Sequence, residues 1–134
     1  MKKVKTNKLP WTKAPPKKAK NQAFYNGTKW RNTSKDYRGR VLTCEVCSAK
    51  GKIRAVLQQG QRVGVLDHII TIENGGSQYD ERNHIAMCSY RLGSCHDKKR
   101  ALESRGLFIP FKLNSAGEKI PQDREFIINL LNGD

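Results

Sequence analysis

Asp67, His68, His84 and His96 bring four groups able to handle metals and protons into one short stretch of sequence. A hard divalent cation takes oxygen or imidazole donors, so Asp67 and His96 are the candidate ligands of a catalytic ion. Such an ion grips a phosphate oxygen and stabilises charge on a leaving 3′ oxygen. A neutral imidazole, with a reference pKa near 6.5, takes a proton from water at physiological pH, which is the role open to His68. Asn83 carries an amide that both donates and accepts, and it could fix the His68 ring or its loop, unless it is only a turn residue. His84, next to it, is a second candidate base or ligand, or an ordinary half-exposed histidine.

Four cysteines frame these residues: Cys44-x2-Cys47, then forty intervening positions, then Cys88-x6-Cys95. Two thiolates in one tight turn reach a single ion, and a second pair completes a tetrahedron around Zn2+. Buried free thiols and a redox-active pair compete with that reading, although the βαβ context of a redox C-x-x-C is missing. The longer second spacing must close through the loop from Ser89 to Ser94.

Positioning such groups takes a small set of elements. Trp30, Tyr37 and Val41 recur at helical intervals and predict a helix over about 28–41, with Trp30 a core anchor or a DNA contact. The Val-, Leu- and Ile-rich run 62–70 predicts a strand, followed by a loop at Asn74-Gly75-Gly76-Ser77 and a short apolar run, Ile85-Ala86-Met87, ending at Cys88. A helix is expected from His96 to Arg105, stopped by Gly106, and an irregular stretch after it. A last helix, about 122–131, carries Phe126, Ile127, Leu130 and Leu131 on one face. Neighbours on a strand point to opposite faces, so Asp67 and His68 share a site only where the strand ends or kinks.

With 134 residues and 37% hydrophobic content, the chain has room for one small domain that needs a staple beyond its core. The net charge of +14 is concentrated at one end: residues 1–40 hold 13 of the 26 Lys and Arg against one acid, Asp36. Residues 1–21, rich in Lys with Pro10, Pro15 and Pro16, read as a disordered basic arm, with Lys17, Lys18 and Lys20 as phosphate contacts. Lys98, Lys99 and Arg100 are phosphate contacts or the solvated face of the helix. The sequence contains no long apolar span and no secretion signal, so a soluble, cytoplasmic protein with reduced thiols and no membrane partner is expected.

Asp67-His68-Ile69-Ile70, Gly75-Gly76-Ser77, Asn83 five residues before Cys88, and Cys95-His96 followed by Lys99 resemble the HNH endonucleases of the ββα-metal group. Phe24-Tyr25-Asn26 and Trp30-Arg31, ahead of the first cysteine pair, resemble their small phage and prophage branch. The resemblance spans about 24–100 and departs from related branches in the x6 spacing of the second cysteine pair. It implies an α+β fold, with a ββα-metal domain at 22–106 stapled by a zinc site on Cys44, Cys47, Cys88 and Cys95, and an extension at 107–134. It implies a double-stranded DNA endonuclease with Mg2+, Mn2+ or another divalent ion on Asp67 and His96, His68 as base and Asn83 in support. Products with 5′-phosphate and 3′-hydroxyl ends follow from it, as does an expected role in phage DNA packaging beside terminase or portal proteins. A zinc-stapled DNA-binding or regulatory module without catalysis is the competing reading, which leaves Asp67 and His96 without a purpose.

Overall fold

In the computed structural model, which describes residues 23–58 and 61–133, the branched residues from Gly64 to His68 form a strand that pairs antiparallel with His84–Cys88. Lys17, Lys18, Lys20 and the arm 1–21 lie outside the described residues. The chain divides into two compact units, Met1–Arg31 and Asn32–Asp134. In the first, Phe24, Tyr25 and Trp30 pack ring against ring, with centroids 5.1–5.7 Å apart, and Trp30 is buried.

Helix α1, Thr28–Arg40, runs close to the expected span. Tyr37 is buried on it and donates its hydroxyl to Glu45 Oε2 at 2.7 Å. The first cysteine pair brackets a one-turn helix, α2 (Glu45–Ser48), capped by Cys44. The single strand expected over 62–70 is instead two. Leu57–Gln58 (β1) pairs with Gln61–Arg62 (β2), and the chain then turns at Val63, whose N–H goes to the Val56 carbonyl. Strand β3 (Gly64–His68) follows, in register with β4 (His84–Cys88) from Gly64↔Cys88 to His68↔His84. Beyond His68 the ladder gives way because Asn83 takes both next amides, Ile69 N–H on its carbonyl and Ile70 N–H on its side chain. Helix α3, Cys95–Ser104, is capped by the Ser94 hydroxyl, which accepts from Asp97 N–H. Together β3, β4 and α3 make a hairpin-plus-helix unit, and the fold is α+β with small two-stranded sheets.

The stretch after Gly106 is not irregular. Phe111–Leu113 (β5) and Lys119–Pro121 (β6) form a hairpin whose turn is closed by Asn114, with Oδ1 accepting from Ala116 and Glu118 N–H. Helix α4, Glu125–Leu131, starts three residues later than expected because the Asp123 carboxylate caps Glu125 N–H while Gln122 N–H is held by the Pro110 carbonyl. It buries Ile127, Ile128 and Leu131, whereas Phe126 is on the exposed side. All of 107–133 belongs to the same compact unit as the hairpin and α3.

Backbone contacts join β6 to the glycine loop: Ser77 N–H donates to Lys119 O at 2.9 Å and Lys119 N–H to Gly75 O at 3.1 Å. Gly75 sits at φ +90°, a conformation that other residues rarely adopt. Gly76 is fixed by crowding, since a Cβ there would stand 1.9 Å from the Ile70 carbonyl oxygen and 2.9 Å from Asn83 Nδ2. Gly76→Ala is therefore expected to lower stability by about 3 kcal/mol, seen as an earlier guanidinium unfolding midpoint with an unchanged slope. A midpoint equal to wild type would mean that the loop can move away from Ile70.

Candidate metal centres and the residues around them

The four cysteines converge. One sulfur from each of Cys44, Cys47, Cys88 and Cys95 lies within 4.8 Å of the others, all four are buried, and Cys47 Sγ and Cys95 Sγ are 3.6 Å apart. Tetrahedral zinc at about 2.3 Å from each sulfur requires sulfurs about 3.8 Å apart, so the tetrad can hold such an ion. Both knuckles are built alike despite their different lengths. Cys47 N–H donates to Cys44 Sγ and Cys95 N–H to Cys88 Sγ, each at 3.4 Å. The x6 loop thus delivers Cys95 to the position that a shorter turn gives Cys47. The Cys44 thiol is pulled down to about 5 because Cys95 and the nearby amides donate to its sulfur. Cys47 is pushed up to about 11 by burial and by the Cys44 thiolate, and Cys95 is pushed up by serving as donor to Cys44. One thiolate is thus favoured at the expense of its neighbours, and bringing all four sulfurs to the thiolate form in one buried space would need a cation to compensate them.

The remaining candidates are divided between the two faces of the β3–β4 hairpin, with His68 and His84 on the face of Cys88 and Asp67 on the other. Burial alternates along β3, so Asp67 faces α3 while His68, the last residue of the strand and still paired with His84, faces away from it. Asp67 Oδ1 lies 3.9 Å from His96 Nε2, and both side chains keep about a fifth of their surface exposed (20% and 21%). His96 is oriented from behind by Ser89 Oγ, 3.3 Å from Nδ1. Two ligands of a divalent ion at about 2.1 Å stand roughly 3 to 4 Å apart, which this pair satisfies while leaving open positions for water or phosphate. Burial tends to raise the Asp67 carboxyl, but the Lys99 and His96 charges outweigh it and hold the carboxyl below the usual range.

Lys99 corrects one expectation. It is neither a phosphate contact nor on the solvated face: its side chain is 0% exposed. Its ammonium reaches Asp67 Oδ2 at 2.8 Å and the His68 carbonyl at 2.9 Å, and it forms a short contact with Glu103. Two hydrogen bonds and two carboxylates in ion-pair range are the arrangement that makes a buried ammonium tolerable. One oxygen of Asp67 is thereby tied down and the other is presented towards His96. Helical spacing carried the signal, because Lys99 falls three residues after His96, on the same side of α3, and four before Glu103. Lys98 and Arg100 are exposed.

The His68 ring is buried, 1% exposed, and packs on His84 with ring centroids 5.3 Å apart. His68 Nε2 and His84 Nε2 both point at the Gln78 carbonyl, at 3.0 and 2.9 Å. A carbonyl only accepts, so each Nε2 carries the proton and Nδ1 is the basic atom of each neutral ring. Nothing in the sequence marks Gln78, because its backbone rather than its side chain does the work. Burial pulls the His68 pKa down to about 4, and His84 is lowered by the same cause. No family model matches the chain, and neither a curated protein nor a solved structure matches it. Asn83 is fully buried: its amide accepts from Ile70 N–H and donates to the Ile70 and Ser77 carbonyls, at 2.8–3.0 Å. It acts on the loop and contacts neither histidine ring through these bonds.

Behind the hairpin, Arg124 joins Glu45 and the His84 carbonyl, at 2.8 Å each, and Glu45 Oε2 also accepts from Ala86 N–H. His84 therefore sits in a fixed polar frame and stays neutral in the fold. Below about pH 6.5 the unfolded chain takes up a proton that the folded chain resists, so His84 contributes stability that is present above that pH and lost as pH falls. His84→Gln, which can still donate to Gln78 O, is expected to show a smaller loss of unfolding free energy between pH 7 and pH 5 than wild type. Equal losses would assign the acid sensitivity to other groups.

Proposed function

We propose that the chain is a metal-dependent DNA endonuclease of the HNH, ββα-metal type, stapled by a zinc-binding cysteine tetrad. The observation that carries this reading is the pair Asp67 Oδ1 and His96 Nε2, 3.9 Å apart and partly exposed, one on a strand and one on the helix that packs over it. A module that only bound DNA would gain nothing from a carboxylate held ionised at its surface beside a neutral imidazole. A divalent ion bound by the pair would neutralise a phosphate oxygen and stabilise the leaving 3′ oxygen. Lys99 keeps Asp67 ionised and turns one oxygen outward, and Ser89 orients His96. The resemblance makes His68 the base, but its ring lies on the opposite face of β3 from Asp67, buried against His84 with its proton on Nε2. In this role it would first have to turn towards the ion to bring Nδ1 to the attacking water. Asn83, by clamping Ile70 and Ser77, holds the loop that carries Gln78.

The test is nicking of supercoiled plasmid by pure protein across Mg2+, Mn2+, Ni2+ and Zn2+. Cleavage that requires an added divalent ion beyond the tightly held zinc, and that is lost in Asp67→Asn, is expected. Absence of cleavage with every ion would favour the zinc-stapled binding module instead. A role beside phage terminase or portal proteins is proposed on the sequence resemblance alone, and normal packaging after deletion of the protein would exclude it.

A further inference from the structure

The long second knuckle does more than close the tetrad. Its six residues run from Ser89, whose hydroxyl meets His96, to Ser94, which caps α3. Both ends are held, by the Cys95 N–H to Cys88 Sγ contact, by Ser94 N–H to the Arg91 carbonyl at 3.2 Å, and by Gly93 N–H to Asp97 Oδ2 at 3.2 Å. Between these anchors Tyr90 adopts φ +65°, the one positive-φ residue other than glycine among the described residues. A bulky aromatic residue resists that conformation, and such strain collects where a side chain must be presented in a particular direction. Tyr90 is 61% exposed and Leu92 96% exposed. Tyr90, Arg91 and Leu92, with His96 and Arg100, line one surface hollow. Arg91, Lys98 and Arg100 are exposed and make no ion pair with a described residue. The nearby acid Asp97 is turned back onto Gly93.

We propose that the loop Ser89–Ser94 is a wedge for duplex DNA: Leu92 and Tyr90 enter a base step and unstack it while Arg91 and Arg100 hold the flanking phosphates. Exposed apolar side chains on a loop anchored at both ends, with arginines beside them, suit opening a base step and bending a duplex, and the exposed cations select a polyanion as the occupant. The inference rests on the nuclease reading for its meaning, since the wedge would prise the duplex open beside Asp67 and His96. The contact itself needs no cutting.

The experiment uses the full chain in Ca2+, with a short synthetic DNA duplex carrying 2-aminopurine at successive positions. Wild type is expected to raise 2-aminopurine fluorescence at one step on binding. The double variant Tyr90→Ala/Leu92→Ala is expected to abolish that rise and weaken binding roughly tenfold, with zinc content and thermal midpoint unchanged. Arg91→Ala is expected to reduce the slope of log affinity against log salt by about one. Unchanged fluorescence and affinity in the double variant would overturn the wedge even if plasmid cleavage persists. Lost unstacking in the variant, with a wild type that cuts nothing in any ion, would keep the wedge and reject the nuclease.

Discussion

His68→Ala is expected to cut plasmid DNA about 10²–10⁴-fold more slowly than wild type at neutral pH, with DNA affinity in Ca2+ nearly unchanged. The magnitude follows from losing one positioned base while the ion-holding pair Asp67 and His96 stays in place. Burial holds the His68 pKa at about 4, which keeps the ring neutral at pH 7 but makes it a weaker base than a solvated imidazole, and Gln78 O fixes which nitrogen is basic. Geometrically it stands at the edge: β3 alternation sends Asp67 towards α3 and His68 the other way, and His68 is the last paired residue. The two are linked through Lys99, whose ammonium holds the Asp67 carboxylate and the His68 carbonyl at once. Since truncation also removes a buried ring that packs on His84, His68→Gln is the companion variant, retaining a donor for Gln78 O and most of the volume. It should fold as wild type does and remain slow. Wild-type cleavage by both variants would move the base elsewhere without touching the Asp67–His96 pair.

Stripping the metal from the tetrad is expected to unfold the protein rather than merely slow it. Structural zinc contributes around 10 kcal/mol in small zinc peptides, and a domain of this size has a net stability on the order of 5–15 kcal/mol. The tetrad joins α2, β4 and the start of α3, so its loss disconnects the elements around which the rest packs. Titration with a strong chelator should therefore remove one zinc per chain together with the far-ultraviolet circular dichroism of the folded state. Cys88→Ser should give the same outcome without chelator. A metal-free protein with native circular dichroism and sharp unfolding would show that the apolar core suffices and that the cysteines serve another purpose. Because the thiols must ionise to bind, the chelator concentration needed should fall as pH is lowered.

The parts of the chain that could be read from sequence are those whose signal is local. The x2 cysteine turn, the helix beginning beside His96, the strand ending near Asp67-His68 and the glycine loop each depend on neighbours within a few residues, and each was placed to within a residue or two, apart from the division of the first strand. The misreadings share another cause. Lys99 stands between Lys98 and Arg100 like a surface lysine; its spacing from His96 and Glu103 was a local hint, but only the packing of β3 on α3 brings Asp67 to it and makes it an interior one. The hairpin 111–121 was missed because its strands are three residues long, too short for alternation to register. The Gln78 carbonyl was invisible in principle, since every residue has one. The Asp67–His68 alternation was foreseen as a difficulty, and the structure keeps it.

Cys95 and His96 are consecutive, so one peptide bond joins a ligand of the tetrad to a ligand of the proposed catalytic ion. Synthesis proceeds from the N-terminus, and Cys44, Cys47 and Cys88 leave the ribosome with three quarters of a tetrahedron at most. The tetrad cannot close until Cys95 has emerged, and the segment that braces the glycine loop, through Lys119, follows later still. The order of the chain therefore delays assembly of the proposed DNA-cutting centre until both Cys95 and His96 have been made. A truncated product, or one made without zinc, lacks the means to set His96 opposite Asp67. Timing is thus written into the position of one cysteine.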